Sequence, residues 1–205
     1  MAKKKRCKKI VVYIAREGDR EEHLLNYLQE IFDPEKTIQL KYSQEKGGNS
    51  NAILDRALKN AYYPKVYAWF DEDDQLDDEH RIELAKRWNT DTLTADIMDK
   101  DLQHYNKKMR YPIVVVSNPY SVESVLIRLF DKNLPELINP VKNQKDFEEN
   151  KKRMKSSVKG FICNMSDIEY YRQNLTKEQI LKKATEIEEL RLLLTIFGIQ
   201  IYKNK

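Results

Sequence analysis

The chain has 205 residues, 40% of them hydrophobic and 34% charged, with a formal net charge of +4. This allows one large core, or a core with a helical appendix, under a heavily charged surface. The charge is far from histone-like: it permits a nucleic-acid partner without demanding one. Cys7 and Cys163 are too far apart in sequence for a CxxC pair, which argues against a disulfide framework and fits a reducing cytoplasm.

The N-terminal segment MAKKKRCKK is basic, and the apolar run that follows it is too short for a signal peptide. That run, Ile10 to Ala15, is β-branched and continuous, the pattern of a strand buried on both faces. Leu24, Leu25, Leu28, Ile31 and Phe32 then recur at helical spacing until Asp33-Pro34. Ile38, Leu40 and Tyr42 alternate with polar residues, as in an edge strand. Gly47-Gly48-Asn49-Ser50 is a loop ending in a candidate helix cap, and the helix it opens is expected to reach about Tyr62, ahead of Pro64.

Val66 to Phe70 is a third strand, and helical material is expected over residues 80–108. Ile113 to Val116 is a fourth strand, closed by Ser117-Asn118-Pro119, with a short helix over Ser121 to Phe130. The βα alternation predicts a Rossmann-like parallel sheet flanked by helices, in strand order 2-1-3-4. Beyond it lie a lysine cluster from Lys142 to Lys159 and one amphipathic helix carrying Ile180 to Phe197. Ile199 to Tyr202 is a candidate edge strand. The organisation expected is a basic arm over 1–9, an α/β core over 10–134 and a mostly helical extension over 135–205 packed on the core. No apolar run is long enough to span a membrane.

Chemistry concentrates where the third strand meets Asp71, Glu72, Asp73 and Asp74 without an intervening base. Packed carboxylates repel, so a bound cation or solvent must offset them. Ligands of open α/β sheets lie beyond the carboxyl ends of the strands. With the first and third strands adjacent, Glu17 would meet Asp71 and Asp73 there. An all-oxygen set of this hardness suits Mg²⁺ or Mn²⁺. The same acids also read as a solvated turn capping the next helix. An EF-hand loop is disfavoured, because Leu76 and Ile82 stand where glycine and the bidentate glutamate belong. His23, His80 and His104 lack zinc-site spacing, and there is no phosphate-binding P-loop, GxGxxG or GxSxG motif.

At these residues the sequence resembles a Toprim domain, which carries a Glu after its first strand and Asp-x-Asp after its third. It is more narrowly similar to the RloB-like branch. In "IAREGDREEHLLNYL", Glu17, Gly18 and Glu22 match that branch's first motif, with Glu21 in place of the usual Thr. "WFDEDD" resembles the central motif. In "VVVSNPYSVESVLIRLF", Ser117, Asn118, Pro119 and Glu123 match the third, with one extra residue before Glu123 and without the usual His near the helix end. The resemblance spans about Ile10 to Phe130. It implies Mg²⁺-dependent breaking or joining of phosphodiesters in DNA or RNA, with Glu17, Asp71, Asp73 and Glu123 in the active site. It also implies a bacterial or phage-defence setting, with a partner protein of such a system.

Lys155 and Lys159 are the strongest phosphate-binding candidates in the lysine cluster, although a solvated helix needs no ligand and is the better account of that cluster. The leading expectation is a metal-dependent nuclease, with Asp71 and Asp73 holding the ion and Glu17 moving a proton or adding a ligand. Its rival is a catalytically silent interaction module on the same sheet.

Overall fold

A computed structural model describes residues 9–44, 50–72, 112–117, 119–135, 141–162 and 165–202. Asp73, Asn118 and the helical region expected over 80–108 lie outside the described residues. Four strands, β1 (Ile10–Arg16), β2 (Ile38–Tyr42), β3 (Lys65–Asp71) and β4 (Ile113–Ser117), form one sheet in the order β2-β1-β3-β4. Every pairing among the described residues is parallel: Ile14 lies opposite Tyr67, and Asp71 opposite Ser117. The expected α/β class and strand order are what the chain adopts.

Alternation along the strands splits the core into two layers. Val12, Ile14, Tyr67, Trp69 and Val115 face one side, where they meet Leu24, Leu25 and Leu28 of α1 (Asp19–Phe32) and Val125 and Leu126 of α3 (Val122–Leu129). Tyr13, Ala15, Val66, Ala68 and Phe70 face the other, against Ile53, Leu54 and Ala57 of α2 (Ser50–Lys59). β2 lies at the sheet edge, consistent with its half-exposed, alternating pattern.

The chain beyond residue 140 joins the first layer. α4 (Gln144–Ile162) contributes Met154, Val158 and Ile162, and α5 (Asp167–Asn174) contributes Tyr170 and Tyr171. The Tyr27 hydroxyl of α1 donates to the Leu175 carbonyl at 2.6 Å, tying the two regions together.

Three local expectations need correction. The helix expected to reach Tyr62 ends at Lys59, where the Asn60 side chain donates to the Arg56 carbonyl at 2.8 Å and a turn follows. The single amphipathic helix over Ile180 to Phe197 is instead α6 (Lys177–Lys183), α7 (Glu188–Leu194) and a 3₁₀ turn (Thr195–Phe197). Thr176 and Gln179 close a capping box at the start of α6. Ile187 is extended at φ −100° and ψ 106°, so the chain changes direction and delivers Ile187, Leu190 and Leu194 to the core. Ile199 to Tyr202 is not a strand: Gly198 turns the chain in the left-handed region at φ 75°, and Ile199 and Ile201 pack on the core without pairing.

Candidate functional site

β1 and β3 are neighbours and both point their carboxyl ends to the same edge, which brings Glu17 to Asp71 across 54 positions of sequence. Glu17 follows the last residue of β1, and its Oε2 accepts the Asp71 backbone N–H at 3.3 Å. Asp71, the last residue of β3, is only 4% exposed. Its Oδ1 accepts the Val122 N–H at 2.9 Å, at the first turn of α3. Ser121 precedes that helix but makes no side-chain cap, so Asp71 supplies the missing acceptor from another strand.

The other carboxylate oxygens of this pair meet one cation. The Lys151 ammonium lies 3.0 Å from Asp71 Oδ2 and 3.4 Å from Glu17 Oε1. Lys151 is 7% exposed and comes from α4, which packs against α3.

Two further acids line the centre. Glu21 is 2% exposed in the first turn of α1, and Glu123 is 4% exposed in the first turn of α3. Glu123 Oε1 lies 3.6 Å from Arg20 Nε, which is also 3.9 Å from Asp167 Oδ2. Among the described residues, Glu21 Oε2 and Glu123 Oε2 have no hydrogen-bond partner. Gly18 leaves room for the Glu21 side chain: a Cβ there would approach Glu21 Oε2 to 3.2 Å.

Burial, then the neighbouring Asp71 charge, pushes the Glu21 carboxyl up to about 8 from an ordinary 4.5. Burial, then the Glu17 charge, pushes Asp71 up to about 7, even though Lys151 pulls it down. Burial is thus the main cost at this centre, and Lys151 offsets only part of it for Asp71.

The loop before α3 is strained. Tyr120 has φ 67°, and Ser121 N–H donates back to the Pro119 carbonyl at 2.8 Å in a γ-turn. Its neighbours hold it there. Tyr120 N–H donates to Glu72 Oε2 at 3.3 Å, its hydroxyl accepts from Asn150 at 3.3 Å, and its ring meets Phe147 edge-on.

Of the residues singled out from the sequence, Glu17, Asp71 and Glu123 come to this edge, and Asp73 lies outside the described residues. Glu22 of the first motif turns away and pairs with Arg16, which also donates to the Gly18 carbonyl at 2.6 Å and so fastens the Glu17-Gly18 turn. Lys155 and Lys159 are exposed on α4, outside its buried face. Glu21 and Lys151 were not singled out for this edge. Each is nevertheless a polar residue inside an apolar helical stripe: Glu21 with Leu24, Leu25 and Leu28, Lys151 with Phe147, Met154 and Val158.

No known family, curated protein or solved structure matches this chain.

The donor set suits a hard divalent cation. It is all carboxylate, it already gathers two acids around one positive charge, and it keeps unpartnered buried oxygens beside them. Among the described residues no group of three or more acids, histidines or cysteines is arranged closely enough to hold an ion unaided. Glu17 and Asp71 would therefore be the holders, with any further ligand outside this pair. No helix among the described residues is long and apolar enough to cross a membrane.

Proposed function

We propose that the chain is a Mg²⁺- or Mn²⁺-dependent phosphodiesterase that cleaves nucleic acid, working at the carboxyl ends of β1 and β3. The observation that carries this reading is the convergence of Glu17 and Asp71 on one cation position. The Toprim resemblance supplies the phosphodiester chemistry and the defence setting, and both belong to the proposal rather than to the fold.

When bound, a divalent ion supplies Lewis-acid polarisation of a phosphate oxygen and makes water more acidic. The chain's own residues do the rest. Asp71 is clamped by the Val122 N–H and so presents its second oxygen in a fixed direction. Glu17 keeps 23% of its side chain exposed, which suits it to exchange protons with water or substrate. Arg20, beside Glu123, and the ammonium of Lys151 offer positive charge to a phosphate. Lys155 and Lys159 extend that charge along the exposed side of α4, towards a polyanion.

The parent and the Asp71→Asn variant would be compared on single-stranded and duplex DNA, RNA and tRNA, with metal and with chelator. The expected result is chelator-sensitive cleavage by the parent and a loss of about 10²-fold or more in the variant. Equal, chelator-resistant cleavage by both would point to contamination and remove the proposal.

One observation favours a second reading, a catalytically silent interaction module: the cation position already holds an ammonium of the chain itself. Absence of cleavage on every substrate, together with no calorimetric Mg²⁺ or Mn²⁺ binding, would select it.

A further inference from the structure

We propose that the Lys151 ammonium and a divalent ion compete for one position between Glu17 and Asp71, so that Lys151 acts as the site's built-in brake on metal loading. The inference deepens the metal-dependent reading and rests on it.

Three features carry it. First, the ammonium makes ion pairs with both carboxylates, 3.0 Å from Asp71 and 3.4 Å from Glu17, which is the bridging role an ion would take. Second, the occupant is a lysine. Its charge is a compact point on a flexible four-carbon stem, without the fixed fork of an arginine, so it can leave a carboxylate pair without dismantling a planar hydrogen-bond array. The stem enters from α4, on the face that carries Met154 and Val158, whereas the acids sit at the carboxyl ends of β1 and β3 and stay behind when it moves. Third, one positive charge does not saturate the centre. Glu21 Oε2 and Glu123 Oε2 are buried and without a hydrogen-bond partner among the described residues. An ion of charge two attracts the Glu17 and Asp71 carboxylates more strongly than an ammonium of charge one.

The competition has a direction. A metal must displace the ammonium or share the carboxylates with a like charge a few ångströms away, and either route weakens its binding. Removing the ammonium should therefore tighten it. Mn²⁺ alone would be titrated calorimetrically into the metal-stripped parent, Lys151→Met and Lys151→Arg, and thermal midpoints would be recorded with and without Mn²⁺.

The expected result is at least tenfold tighter Mn²⁺ binding by Lys151→Met, with a larger gain in midpoint on adding the ion, and parental or weaker affinity for Lys151→Arg, whose guanidinium keeps the charge and holds the pair more firmly. If Lys151→Met does not fold, Lys151→Gln is read by the same criteria. The parent also offers a test without mutation: acylation of Lys151 by an amine-reactive reagent, followed by mass spectrometry, should rise at least threefold when Mn²⁺ is added.

Equal or weaker binding by Lys151→Met, with the parent binding normally and Lys151 acylation unchanged, overturns the competition and leaves the metal-dependent reading standing. Binding by Lys151→Met alone supports the competition and overturns that reading for the native chain. Binding by neither protein overturns both.

Discussion

Asp71 caps a helix to which it does not belong: its Oδ1 accepts the Val122 N–H at 2.9 Å, joining the end of β3 to the first turn of α3. The same carboxylate faces Lys151 with its other oxygen. Its helix-capping bond and its ion pair thus sit on separate atoms, and substitutions can separate them. Asp71→Asn keeps a carbonyl oxygen for Val122, whereas Asp71→Ala removes it. Urea unfolding should find Asp71→Ala less stable than Asp71→Asn by about 1 kcal/mol, the usual worth of a helix cap. Equal stabilities would mean that the capping bond contributes nothing.

Glu21 should set a pH dependence of stability. Its carboxyl titrates at an ordinary 4.5 when unfolded and at about 8 when folded. The folded chain carries the extra proton between those values, so this contribution is complete below 4.5 and is lost as pH rises through about 8. Asp71 adds the same trend between 3.8 and about 7. In chelator, the parent's urea midpoint should fall as pH rises through this window, and Glu21→Gln, neutral throughout, should flatten the fall. Parallel profiles for the two proteins would refute the assignment.

Two contacts between α1 and the C-terminal region should differ in worth. Tyr27 donates to the Leu175 carbonyl from a nearly sealed position, and Tyr27→Phe leaves that acceptor unsatisfied at a cost of about 1–2 kcal/mol. Arg172 holds Glu30 through two bonds at 2.9 and 2.6 Å, but both side chains are exposed. Arg172→Ala should cost less than about 1 kcal/mol, because solvent screens the pair and freezing two long side chains is unfavourable. Chemical denaturation of both variants decides it, and the reverse ranking would contradict the burial argument.

Asp33 should matter more than a residue ending a helix usually does. Its carboxylate accepts from Thr37 N–H and hydroxyl, from Ile38 N–H and from Gln29, fastening the end of α1 to the start of β2. Asp33→Ala should destabilise the chain by roughly 3 kcal/mol, with hydrogen exchange accelerated first in β2. A loss below about 1 kcal/mol would show that water replaces these bonds at little cost.

The strands were legible because their pattern is a burial signal in itself: Val12 to Ala15 and Val66 to Phe70 are apolar on both faces and lie between helices. Their order followed from placing Glu17 beside Asp71, and the sheet has that order. The late helices were less legible. Ile180 to Phe197 keeps helical spacing through a break, because periodicity records which residues face the core and not whether the axis is continuous. The extended Ile187 lies between Glu186 and Glu188, with no glycine or proline beside it to announce a break. Lys151 was hidden differently. It stands among Lys152, Arg153, Lys155 and Lys159, and composition alone cannot separate a buried lysine from solvated ones. Asp146, Glu148 and Glu149 nearby also made a self-neutralising surface helix the natural reading.

The bond between Lys151 and Glu17 joins residues 134 positions apart. Such a closure is slow to form, because a long stretch of chain must be ordered before the pairing repays it. During synthesis, β1, β3 and α3 all precede α4. A nascent chain can thus gather its acids before the lysine that offsets them has been made. Until α4 docks, repulsion among those acids and an uncovered apolar face work against the same intermediate. Divalent ions present at that stage would favour it, as would any partner that covers the face to which Met154, Val158 and Tyr171 later belong. The placement of acids early and lysine late in the chain therefore bears on the order in which these elements can assemble.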